Sequence, residues 1–218
     1  MLLTPEQRSK LDVSSDISFY EIPRFVTHVD DGFIAQLSDL YRDRLRPQTR
    51  ILDLMSSWVS HLPDEISFAW VEGHGMNAAE LAKNPRLDHY FVQNLNESQS
   101  LPLEDQSFDA VLNTVSVQYL QYPEKVFAEI YRVLKPGGIA IISFSNRMFY
   151  QKAIAAWRDN SEAGRVELVK RYFHSVPGFS TPEVIERTST LPSFLQMLGV
   201  GSGDPFYGVI AERLEPLV

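Results

Sequence analysis

The sequence predicts an α/β fold in which a mostly parallel sheet is covered by helices on both faces. Three observations carry that expectation. Short apolar runs of strand length alternate with helix-period stripes along the chain. Glycines and prolines fall at the boundaries between them. The 218 residues, 44% hydrophobic, suit one compact domain and are too few for two well-buried ones.

The first clear helical stripe runs from about Gly32 to Leu45, with Phe33, Ile34, Leu37, Leu40, Tyr41 and Leu45 on one face, Asp30 or Asp31 as cap, and Pro47 closing it. Strand-length runs follow at Ile51–Met55, Ile66–Val71, His89–Val92, Phe108–Leu112 and Ile139–Phe144. Between the last two, Pro123 takes a first helical position, and Val126, Phe127, Ile130, Val133 and Leu134 form a core-facing stripe. We expect Gly137 and Gly138 to stop that helix, with Lys135 at the negative end of its dipole. Beyond it, Asn146–Asn160 and Glu162–Phe173 read as helices, and PEVIERT and FYGVIAERL as two last strands that complete a sheet of seven. The loop from Leu191 to Pro205 has no linker character.

Composition narrows function by exclusion. With no cysteine, disulfides, thiolate nucleophiles and Cys-ligated zinc are ruled out. His61, His74 and His89 lack metal-ligand spacing, so no metal is expected. A net charge of -8 without any long basic run argues against nucleic acid. The opening MLLTPEQRSK has neither a basic n-region nor a long apolar core, and the most apolar stretch is strand-sized. We therefore expect a soluble, cytoplasmic protein with no membrane partner.

LPLEDQSFDAV, YPEKVFAEIYRVLKPGG and IAIISF together resemble class I S-adenosylmethionine (SAM) dependent methyltransferases, in particular the type 11 group that includes ubiquinone and sterol methyltransferases. The resemblance runs from about Ile51 to Phe144, with weaker agreement at PGFSTPEVIERTS and DPFYGVIAERL. It implies a Rossmann-like three-layer sandwich with sheet order 3-2-1-4-5-7-6 and strand 7 antiparallel. It also implies SAM as cofactor at the carboxyl ends of the first strands and a small-molecule methyl acceptor. On this reading 1–218 is a single domain: 1–48 a lid and first helix, 49–145 the cofactor-binding core, 146–218 the C-terminal helices and last two strands.

Residue by residue, the resemblance assigns Asp53 to the acid at the end of strand 1. The three glycine positions of the cofactor loop fall on Met55, Ser57 and Val59, within ILDLMSSWVSH. Glycine serves there because bare backbone can approach a ligand, often at positive φ, which valine strongly disfavours. Either the loop is rebuilt, with Ser56 and Trp58 repacked around it, or the cofactor sits differently, or it does not bind. The ribose acid aligns with Gly75, leaving Glu72, beside Gly73, as substitute. Asn94, next to Leu95, takes the adenine position, and the backbone at Asn113, Thr114 and Val115 lies near the cofactor. Ser116, Gln118 and Tyr119 face the substrate opening. FYEIPRFVTHVDD, ahead of the first helix, is the expected lid, with Tyr20, Arg24 and His28 lining the pocket, and His61 is a further candidate. His28 and Tyr119 are the catalytic candidates, since methyl transfer from an activated sulfonium needs little more than alignment and one base. The acidic balance favours an uncharged or cationic acceptor.

Losses at separate contact points also admit an alternative, a catalytically inactive methyltransferase-fold protein that serves as a binding or assembly partner. A nicotinamide oxidoreductase is disfavoured, because G-x-G-x-x-G is absent after strand 1.

Overall fold

The computed structural model describes residues 2–187 and 203–215. Seven strands form one sheet: β1 (Arg50–Leu54), β2 (Trp70–Gly75), β3 (His89–Val92), β4 (Phe108–Thr114), β5 (Leu134–Phe144), β6 (Glu183–Arg187) and β7 (Phe206–Glu212). Their order is β3-β2-β1-β4-β5-β7-β6. The first five pair in parallel, while β7 runs antiparallel to both β5 and β6. Order and direction agree with expectation. The helices are α1 (Pro5–Arg8), α2 (Asp16–Tyr20), α3 (Asp31–Arg44), α4 (Ala78–Leu81), α5 (Pro123–Val133), α6 (Ala155–Arg158) and α7 (Glu162–His174). Among the described residues no helix is long and apolar enough to cross a membrane.

Strand alternation distributes the core to both faces. Ile51, Leu112 and Ile141 point to the face covered by α3, where Phe33, Leu37, Leu40 and Tyr41 are buried. Leu52, Val111 and Ile142 point to the other face, against Val126, Phe127 and Ile130 of α5 and Val169, Tyr172 and Phe173 of α7. Asp30 caps α3 by accepting from the Phe33 amide at 2.8 Å, which also satisfies one orphan N–H.

Three elements depart from the sequence reading. β2 begins at Trp70 rather than Ile66 and continues through Glu72, Gly73, His74 and Gly75, so its buried half is polar and glycine-rich and lacks an apolar signature. α5 ends at Val133, and Leu134 already pairs with Phe108; LKPGG is the bulged start of β5 rather than a helix cap, with Gly137 at φ +77°. Asn146–Asn160 is mostly loop, helical only at α6, because Met148 and Phe149 are turned toward a cavity instead of onto a helix face. Most of the loop from Leu191 to Pro205 lies outside the described residues.

Candidate functional site

A cavity of about 280 Å³ opens at the carboxyl ends of β1 to β4, where an open α/β sheet places its ligands. The segment from α2 to α3, the expected lid, supplies Tyr20, Arg24 and residues 26–29 to its walls. Its walls include the expected Asp53, Met55, Ser56, Ser57, Asn94, Leu95, Thr114, His28 and Tyr119, together with Tyr20, Arg24, His61, Ser116 and Gln118.

Asp53, next to last in β1, is buried, and its Oδ2 accepts from the Ser56 hydroxyl at 2.6 Å. Burial pushes its carboxyl up to about 6, against smaller opposing hydrogen bonds from Ser56 and Ser60. The loop that follows turns at its two ends, with Met55 at φ +61° and His61 at φ +53°, while Ser57 and Val59 avoid the left-handed region. A non-glycine residue needs local support there, and His74 supplies it. Its Nδ1 accepts from the Met55 amide at 3.1 Å, its Nε2 meets the Gln93 carbonyl at 3.0 Å, and its own carbonyl accepts from the Ser56 amide at 2.6 Å. This pattern fixes a neutral imidazole with the proton on Nε2. Burial agrees, holding His74 down to about 4. Asn84 braces the loop from below, donating to the Ser57 carbonyl at 3.0 Å and the Ser60 hydroxyl at 2.8 Å.

The loop rests directly on the position where the ribose acid was expected. A Cβ at Gly75 would lie 2.6 Å from the Ser56 carbonyl oxygen, so the rebuilt loop and a side chain at 75 exclude each other. The departures at Met55–Val59 and at Gly75 are therefore one rearrangement.

Glu72, Gly73 and Asn113, also expected at the site, do not line the cavity. The Glu72 carboxylate is buried and turned to His89 Nδ1 at 2.6 Å and Trp70 Nε1 at 2.9 Å. Gly73 is a packing glycine, since a Cβ there would meet Leu87 at 2.4 Å. Asn113 is buried and ties its amide to the Leu54 carbonyl at 3.2 Å. Asn94 does line the cavity, although its oxygen already accepts from the Asn96 amide at 3.0 Å, leaving one acceptor site. Val115, just after β4 on the cavity wall, holds φ +48°, a strained conformation for a β-branched residue.

Sequence reasoning missed Glu80. Standing on α4 at the cavity wall, it is buried; its Oε2 accepts from the Ser57 hydroxyl at 2.6 Å and its Oε1 from the Arg24 amide at 2.7 Å. Asn77 Nδ2 adds bonds to the Tyr20 and Glu21 carbonyls at 2.7 and 3.0 Å, and Trp58 Nε1 to the Val26 carbonyl at 3.1 Å. Loop and lid are thus joined. His28 packs edge-on against Phe149 with centroids 5.2 Å apart, and burial lowers its pKa.

A methyltransferase-domain family model matches residues 73–142, from within β2 through most of β5. With sheet order and cavity, that match fixes the fold. The chain has the class I SAM-dependent methyltransferase fold, and residues 73–142 are similar to a methyltransferase domain. The matched stretch begins beyond the Met55–His61 loop. Among curated relatives, the demethylmenaquinone methyltransferase of Streptomyces avermitilis is 30% identical over 103 residues, 46% of this chain and 45% of that protein. The malonyl-(acyl-carrier protein) O-methyltransferase of Marinomonas sp. is 35% identical over 68 residues, 30% of this chain and 25% of that protein. The matches thus cover less than half the length of these relatives. Solved structures share the fold. A SAM-dependent methyltransferase from Thermotoga maritima, titled a possible histamine N-methyltransferase, superposes with TM-score 0.56 at 21% identity, over 84% of this chain and 90% of that one. The (4+2)-cyclase SpnF does so with TM-score 0.58 at 18% identity, over 83% and 82%.

Proposed function

We propose that this protein is a SAM-dependent methyltransferase acting on a small molecule through a rebuilt cofactor loop. One observation carries the reading: two carboxylates, Asp53 and Glu80, line a single cavity and are held by neutral donors, Ser56 for the one, Ser57 and the Arg24 amide for the other. A buried carboxylate without a cation is costly, and a ligand carrying positive charge relieves both. SAM, with its sulfonium and ammonium, is such a ligand. The residues fit it: Asp53 and Glu80 would hold its positively charged and donor-bearing portion, and the free acceptor site of Asn94 would take an amino group. When bound, SAM supplies a methyl group already activated for transfer.

The chain's own part is to exclude water under the lid and to take a proton from the acceptor. His28 suits that second task, because it stands on the cavity wall against Phe149 and partial desolvation lowers its pKa. The alternative of an inactive binding protein drew on separate losses at loop and ribose acid. The contact between Ser56 and Gly75 makes those a single coordinated change, which favours retained function.

Calorimetric titration with SAM and S-adenosylhomocysteine tests the proposal. Wild-type binding in the micromolar range is expected, and Glu80→Gln weakens it about tenfold, the worth of a hydrogen bond to a charged group. No binding at millimolar ligand would overturn it.

A further inference from the structure

At the lid end of the cavity, Arg24 has one amino group engaged and the other idle. Nη2 donates to the Phe19 carbonyl at 2.8 Å, and the guanidinium carbon stands 4.5 Å from the centroid of Phe19, 5.5 Å from Phe149 and 5.7 Å from Tyr20. Those faces orient the group and strip it of water. Nη1 is buried without a hydrogen-bond partner. Two more buried polar atoms on residues of the same cavity, the Ser116 hydroxyl and Gln118 Oε1, are also unpartnered. Each such atom carries an uncompensated desolvation cost, larger for a charged donor, unless a ligand completes it. Arg147, the other guanidinium at the cavity, is already paired with Asp204 at 2.7 Å.

The cavity mouth beside Arg24 is apolar. Val26 lines the cavity and is 56% exposed, and next to it lie Phe25, at 48%, and Ile22, at 74%. Phe25 meets Trp58 of the rebuilt loop edge to face, with centroids 6.5 Å apart. A positively charged donor inside and an apolar shelf outside describe a ligand with an acidic head and an apolar body.

We propose that the methyl acceptor is an organic carboxylate with an apolar body, its carboxylate received by Arg24 Nη1 and the Ser116 hydroxyl. This rests on the methyltransferase reading and reverses the sequence-based leaning toward an uncharged or cationic acceptor. The Arg24 side chain runs from the lid toward Phe149, beyond β5, whereas Asp53 and Glu80 stand at β1 and α4. The acceptor's carboxylate and the cofactor's charged groups thus meet different side chains.

Octanoate, butyrate and 1-octanol, titrated calorimetrically with and without S-adenosylhomocysteine, provide the test. Octanoate should bind the wild-type protein at least about tenfold tighter than 1-octanol, from the charged hydrogen bonds, and at least about tenfold tighter than butyrate, from four more methylenes. Arg24→Gln should weaken octanoate about tenfold and leave 1-octanol within about twofold. Ser116→Ala removes a hydroxyl that has no partner to lose, so the fold is undisturbed, and it should weaken octanoate about threefold. Absence of octanoate binding, or variants that leave it unchanged, overturns the proposal. So does an Arg24→Gln protein that loses S-adenosylhomocysteine but keeps octanoate, which would give Arg24 to the cofactor's own carboxylate. If octanoate binding depends on Arg24 while S-adenosylhomocysteine never binds, the acid subsite stands and the methyltransferase reading falls.

Discussion

Gly75→Asp restores the acid that the family resemblance expects at the end of β2, and it should bring no gain in cofactor binding. With the Cβ placed 2.6 Å from the Ser56 oxygen, and ordinary carbon-to-oxygen contacts near 3.3 Å, loop or strand must give by about 0.7 Å. The Leu81 methyls at 3.2 and 3.3 Å close the other side, and the Ser56 amide bond to the His74 carbonyl at 2.6 Å leaves the loop little slack. Overpacking of this kind costs about 1–3 kcal/mol. Because the displaced atoms belong to the cofactor loop, the same strain should weaken S-adenosylhomocysteine about tenfold. Urea unfolding and calorimetry on Gly75→Ala and Gly75→Asp measure both quantities. Gly75→Ala is expected to show the whole stability cost, and Gly75→Asp to bind no better than Gly75→Ala. An aspartate variant of wild-type stability that binds more tightly would refute the reasoning and mark Gly75 as an independent loss.

Asp53, raised from 3.8 to about 6 by burial, binds its proton more tightly folded than unfolded. Its contribution to stability is full below pH 4 and fades as pH rises through 6, by about 3 kcal/mol. Affinity for cationic SAM runs the other way and should rise about tenfold between pH 5 and 7, a slope that Asp53→Asn abolishes. His74, lowered to about 4, opposes Asp53 in stability: the unfolded chain binds its proton first, so stability drops as pH falls from 6.5 toward 4. Urea midpoints of Asp53→Asn at pH 4.5 and 6.5 should expose that slope, and nitrogen NMR at pH 7 should find Nε2 protonated and Nδ1 bare. Lys152 is fully buried, 3.1 Å from Asp12 and 3.5 Å from Asp16. Lys152→Met should cost about 1–2 kcal/mol in urea unfolding, because it leaves the Ser14 carbonyl without its donor, while Asp16 keeps Lys10 at 2.6 Å and Asp12 keeps contact with solvent.

The fold was legible because its carriers are periodic: the α3 and α5 stripes and the apolar runs of β1, β4 and β5 each repeat at the spacing their geometry demands. β2 was misplaced because half of it is Glu-Gly-His-Gly, and what makes that stretch a strand is pairing with β1 and β3. At the site, the sequence supplied Asp53 and the anomaly of the loop, while the supports of the loop come from 18 to 28 residues downstream, at His74, Glu80 and Asn84. No local pattern reports such partners. Glu80 reads as an ordinary helix-surface acid in AAEL, and Glu72 as a turn acid, until register sets Glu72 opposite His89. The three unpartnered atoms at Arg24, Ser116 and Gln118 are visible only as a shortage of partners, which is a property of packing.

Every hydrogen bond from Asn77, Glu80 and Trp58 reaches the lid at a main-chain atom: the carbonyls of Tyr20, Glu21 and Val26 and the amide of Arg24. Hydrogen bonds that grip only backbone are indifferent to side-chain identity. Residues 20 to 26 can therefore drift to suit new acceptors while the lid stays seated, so that selectivity and closure evolve on separate accounts within the same seven residues.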